Sequence, residues 1–124
     1  MKVPCQMVYW YLLPAITSEI TRELFTKGIK KSQIARILGI TPAAVSQYLK
    51  GKRGRGLKLD EKTKKAISEL ADEIARNASK GDTHVVSGIC RACMLARSSG
   101  AVCSFHMELA DMTSCSLCKN ATPL

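Results

Sequence analysis

The chain has 124 residues, enough for one modest hydrophobic core or one small domain with a stapled appendage. Its net charge of +9 is unevenly placed: between Lys27 and Lys65, twelve lysines and arginines stand against Asp60 and Glu61, leaving −1 for all other residues together. So concentrated an excess suits a surface facing a polyanion better than one that only keeps a protein dissolved.

The longest apolar run, "MVYWYLLPAI" from Met7 to Ile16, falls short of the ~20 residues of a membrane-spanning helix. No small-residue cleavage site follows it, and "TSEITRELFTKG" continues it as an amphipathic helix, so the expected location is the cytoplasm, with no membrane partner. A first helix is predicted from Pro14 to Lys27. Pro14 suits a first turn, Gly28 suits a left-handed stop, and Ile16, Ile20 and Leu24 form one stripe with Phe25 beside it. The spacing leaves open whether "VYWYL" begins that helix early or precedes it in extended form.

A second helix is predicted from about Lys31 to Leu38, burying Ile34, Ala35 and Leu38 and ending at Gly39. Thr41 then reads as an N-cap and Pro42 as the first residue of a third helix, Pro42 to Lys50, which buries Val45, Tyr48 and Leu49 and closes at Gly51. "GKRGRG" is too charged and glycine-rich to pack and reads as a basic linker. Asp60 caps a longer helix to about Ala78, with Ile67, Leu70, Ala71 and Ile74 as a stripe that serves either packing or a dimer seam. From Thr83 onward cysteine, serine, methionine and small residues dominate, and helix signals are few. The expected fold class is all-α. It divides into a unit of short helices at 1–56, a linker helix at 57–82 and a cysteine-rich tail at 83–124.

Residues 31 to 50 form a short helix, a tight turn at Gly39 and a second short helix, the unit that presents its second helix to the DNA major groove. Ala35 is small where the helices cross. The outward face of the second helix is expected to hold Ala43, Ala44, Ser46, Gln47 and Lys50, with Thr41 at its start. An amide bonds adenine bidentately, which makes Gln47 the base-reading candidate, and Ala43 and Ala44 suit thymine methyls. Ser46, Lys50, Lys52 and Arg53 are expected on phosphates, as are Lys31 and Gln33, with Arg55 reaching an adjacent groove.

"SQIARILGITPAAVSQYLKGKRG" resembles the lambda-repressor/Cro-like (Xre) class of helix-turn-helix. The wider stretch "VPCQMVYWYLLPAITSEITRELFTKGIKKSQIARILGITPAAVSQYLKGKRG", residues 3 to 54, resembles archaeal predicted transcriptional regulators of that class. The resemblance implies a lambda-repressor-like bundle of four or five helices, a homodimer and double-stranded operator DNA as partner. By position it implies base contact at Gln47 and backbone contact at Gln33 and Lys52. Lys30 departs from the pattern, standing where Ser or Thr often caps the first helix of the motif. The weaker cap should fray that end by about 1 kcal/mol.

Cys90 and Cys93 form one CxxC and, after a 21-residue spacer, Cys115 and Cys118 form a second, with Cys103 between them and Cys5 far off. Two thiolates on one side of each turn can close a tetrahedral site, so these five clustered cysteines are the candidate metal ligands. Zinc takes four, leaving Cys103 idle or drawing in His106. An iron–sulfur cluster also takes four, with a fifth at hand to exchange. The resemblance to regulators with cysteine-rich tails favours the cluster. Met94, Met107 and Met112 are expected to pack, His84 and His106 to be ordinary polar residues, and Cys5 to be a small buried hydrophobe. A tail so poor in large aliphatics needs such a staple to order itself.

The expected function is therefore a sequence-specific DNA-binding transcription regulator whose iron–sulfur tail senses redox or iron status. The alternative is a DNA-binding protein with a purely structural zinc knuckle for dimerisation or docking. A thiol oxidoreductase using Cys90 and Cys93 lacks the flanking βαβ pattern, and no enzymatic activity is expected.

Overall fold

The computed structural model of the chain describes residues 6, 8–52, 57–76 and 83–99, with only the backbone at 83 and 84. All regular structure among these residues is helical: a π-helical turn Val8–Leu12, then α1 Leu13–Thr26, α2 Lys31–Leu38, α3 Pro42–Leu49, α4 Glu61–Arg76 and α5 Thr83–Ser98. The all-α class is therefore observed. No helix among the described residues is long and apolar enough to cross a membrane.

"VYWYL" begins the first helix early. Its wide turn runs directly into α1, where Pro14 occupies the first positions. In an unbroken α-helix the Pro14 ring would meet the carbonyl four residues back and remove a hydrogen bond; widening that turn accommodates both. Leu12 is buried. Tyr9 and Trp10, 71% and 49% exposed, line a shallow apolar groove that reaches Tyr48 of α3.

Three helices end the same way. Gly28, Gly39 and Gly51 all adopt positive φ (89°, 67° and 73°), which glycine alone reaches without Cβ strain. At each, the glycine N–H and the next residue's N–H donate back to the last turn: Gly28 to Phe25 and Ile29 to Leu24, Gly39 to Arg36 and Ile40 to Ala35, Gly51 to Tyr48 and Lys52 to Gln47. The residue after the first two glycines is isoleucine, and Ile29 and Ile40 both pack on the core. After the third it is Lys52, which is exposed. The first two stops therefore fold the chain back onto the protein, and the third presents a cation to solvent.

One apolar cluster joins all five helices: Ile16, Ile20 and Leu24 from α1, Ile34 and Ala35 from α2, Val45 from α3, Ile67, Leu70, Ala71 and Ile74 from α4, and Val85, Ala92 and Ala96 from α5. Fully burying each Leu, Ile or Val side chain contributes about 1.5–3 kcal/mol. The α4 stripe is thus covered within the chain, against α1 and α5, and is not a dimer seam. The segment read as a linker helix is part of the core. Phe25 lies off the stripe and is exposed, with the Lys31 ammonium 5.9 Å from its ring centroid.

Helix α5 corrects the expectation of few helical elements after Thr83. Val85, Ile89, Ala92 and Ala96 recur at helical spacing and face the core, a stripe obscured by the weak helix propensity of Ser87, Gly88, Cys90 and Cys93. Gly88 lies against the Leu70 side chain, so that a methyl placed there would overlap it.

Helices α1 and α4 run in the same direction. Their C-terminal portions are tied by the Lys27–Asp72 ion pair, and their N-terminal portions flank a common cleft. At the start of α4, Asp60 Oδ1 accepts from the Thr63 hydroxyl at 2.5 Å, and the Asp60 carbonyl accepts from Lys64 N–H at 3.0 Å.

Candidate nucleic-acid interface

Helix α3 is built to start sharply. Thr41 is extended (φ −79°, ψ 153°), its Oγ1 accepts from Ala44 N–H at 3.1 Å, and Pro42 follows in the first turn. Two donors that would lack partners are dealt with at once, one capped and one absent in proline. Helix α2 starts less well. Lys30 stands at its N-cap with no side-chain hydrogen bond, as its identity predicts.

At 100° per residue, Ala43, Ser46, Gln47 and Lys50 fall within an arc of about 100° on α3, and Ala44, Val45 and Tyr48 within the opposite one. Burial follows this division. Ala43 and Lys50 are exposed and Ser46 half-buried, while Val45 and Tyr48 are buried. Ala44, expected on the outward face, is only 7% exposed and belongs to the inner arc. Its small side chain serves the packing of α3 rather than contact with a base.

Gln47 lies on the outer arc but is half-buried, and its Oε1 is shielded without a hydrogen-bond partner. Such an unpaired amide oxygen costs about 1–3 kcal/mol until a donor reaches it. Thr41, Pro42 and Lys52 are exposed at the two ends of the arc. Pro42, read from the sequence only as the first helical residue, is exposed and adds to the surface at the start of the helix.

Lys31 is exposed and Gln33 half-buried in the first turn of α2. Lys30, also exposed, adds a second cation there that the charge block already contained. Arg53 and Arg55 lie outside the described residues. The structure therefore gathers Thr41, Ala43, Ser46, Gln47, Lys50 and Lys52 on one helix and its exit, places Lys31 and Gln33 on the helix before it, and withdraws Ala44.

Of the candidate metal ligands, Cys90 and Cys93 lie on successive turns of α5 as free thiols, the first exposed and the second half-buried. Burial pushes the Cys93 thiol above its ordinary range; Arg97 works against this and Cys90 with it. Cys103, Cys115, Cys118, Cys5 and His106 lie outside the described residues, among which no three His, Cys, Asp or Glu side chains converge on a metal site. Two sulfur donors one turn apart suit one edge of a thiolate-bound soft metal.

No protein family, curated protein or solved structure matches the chain.

Proposed function

We propose that the chain is a DNA-binding transcription regulator of the lambda-repressor-like helix-turn-helix type, without enzymatic activity, in which α3 enters the major groove of double-stranded DNA. The observation that carries this reading is the outer arc of α3: a small, uncharged strip of Ala43, Ser46 and Gln47, with exposed Pro42 before it and Lys50 and Lys52 at its C-terminal end. Small side chains let the helix sit deep, the Gln47 amide reaches a base edge once its side chain turns outward, and flanking cations neutralise phosphates. Lys31, Gln33, Arg53 and Arg55 act as further backbone contacts, and a homodimer would read two half-sites one helical turn apart.

In the same proposal, Cys90 and Cys93 form half of a thiolate site completed from Cys103, Cys115 and Cys118. An iron–sulfur cluster bound there supplies one-electron redox chemistry. Because α5 shares the core with α1, and α1 packs on α3, changes at the thiolates reach the DNA-reading helix through packed side chains. Selection of sites from random duplex DNA tests the DNA reading, and failure to enrich any sequence overturns it. Iron, sulfide and zinc analysis of anaerobically prepared protein tests the cluster. One zinc per chain and no sulfide would leave a regulator with a structural knuckle for dimerisation or docking.

A further inference from the structure

Ser18 is 1% exposed, and its hydroxyl has no hydrogen-bond partner. Its neighbours on α1 behave otherwise: Thr17 donates to the Leu13 carbonyl at 2.8 Å and Thr21 to the Thr17 carbonyl at 2.6 Å. Serine in a helix has the same option four residues back and here does not take it. Buried hydroxyls are ordinarily paired with protein, water or ligand, so this one marks a place where a partner belongs.

Ser18 lines a cleft of about 510 Å³ between α1 and the stretch leading into α4, within the size range of small-molecule sites. Its rim carries charges of both signs. Arg22, Lys58 and Lys64 are the cations, Glu19 and Glu61 the carboxylates, and none of these five side chains is ion-paired or hydrogen-bonded among the described residues. Leu57 and Leu59 supply an apolar wall.

We propose that this cleft binds a small zwitterion of the α-amino-acid class. The ligand's carboxylate sits among the three cations and its ammonium faces Glu19 and Glu61, while a turn of the Ser18 side chain brings its shielded Oγ to the hydrogen bond it lacks. A multiply charged anion meets two carboxylates at the rim, and an apolar ligand leaves Ser18 unpaired; a molecule carrying both signs pairs with the cations and the carboxylates together. The site uses no residue of the outer arc of α3 and neither cysteine of α5, so it stands or falls independently of the DNA reading.

Thermal melting of the full chain tests it, with each of the twenty protein amino acids added singly, and with inorganic phosphate and ammonium chloride as single-sign probes at matched ionic strength. At least one amino acid is expected to raise the melting midpoint saturably, because a ligand bound only by the folded state stabilises it. Arg22→Gln and Ser18→Ala should each weaken that ligand at least about tenfold, the effect of losing one hydrogen bond to a charged group. Ser18→Ala, which removes a buried unpaired hydroxyl, should leave the unliganded midpoint unchanged or higher, so loss of the shift cannot be ascribed to unfolding. Absence of any amino-acid shift, an equal shift with phosphate, or a shift that survives both substitutions together would each overturn the assignment.

Discussion

The main-chain N–H of Lys52 donates to the Gln47 carbonyl at 2.9 Å, so the cation leaving α3 and the amide on its outer arc are held by one backbone turn. They are fixed together yet predicted to do different work. Gln47→Ala should cost about 1–3 kcal/mol on the preferred DNA sequence and little on others. Lys52→Ala should weaken all sequences alike and reduce the slope of log affinity against log salt by about 1. Fluorescence anisotropy on selected and scrambled duplexes at several salt concentrations separates the two; identical behaviour would refute the division of roles.

Thr41→Ala removes the side-chain acceptor that caps α3 and should destabilise the fold by about 1 kcal/mol. Thr41→Ser keeps the acceptor and should restore most of it. Urea denaturation with an unchanged m-value is the measurement, since the change touches a cap and not the extent of the core.

The hydrogen bond from Lys27 holds the Asp72 carboxyl below the ordinary carboxylate range; desolvation opposes it, and the Lys27 and Arg76 charges add to it. A depressed folded-state pKa adds stability that is present above the unfolded value and lost as pH falls through the folded one. The contribution should therefore fade below about pH 4 and weaken in high salt, the pair being exposed. Asp72→Asn should abolish this acid-side component, as seen by comparing the pH dependence of unfolding in both proteins.

Cys90 is exposed and Cys93 half-buried with a raised thiol pKa, so iodoacetamide at neutral pH should alkylate Cys90 first, a sequence that peptide mass spectrometry resolves. The raised Cys93 value makes its contribution to stability complete below the unfolded thiol pKa and lost as pH rises through the folded one. Cys93→Ala should flatten that alkaline loss.

Gly88→Ala places a methyl into the Leu70 side chain and should cost about 1–3 kcal/mol unless Leu70 gives way. Leu70→Val in the same chain frees space and should recover part of the loss. The double-mutant cycle reads the coupling directly.

Much of this architecture was legible because it rests on local chemistry. Gly28, Gly39 and Gly51 stop helices where their lack of Cβ predicts, and Thr41–Pro42 starts one. Ile16, Ile20 and Leu24 fall inward on the period of the helix. The misplacement of Ala44 arose from reading residue size as direction: alanine is neutral about facing in or out, and only its angular position beside Val45 and Tyr48 decides. Helix α5 was hidden because its apolar stripe is carried partly by alanines, while glycine and cysteine depress local propensity. Tertiary packing against α4 compensates, and no local signal announces that. The orphaned Ser18 hydroxyl was beyond reach, since a serine between two threonines reveals nothing about which carbonyl it declines.

The widened turn before Pro14 has a consequence for the aromatic pair it carries. One surplus residue in that loop of helix shifts the angular phase of everything upstream by about 100° relative to α1. Shortening the segment by one residue would swing Tyr9 and Trp10 through about a quarter of a circle, away from the flank they share with Tyr48. The outward aspect of both rings is thus set by a count of backbone atoms, not by any affinity of the rings for water.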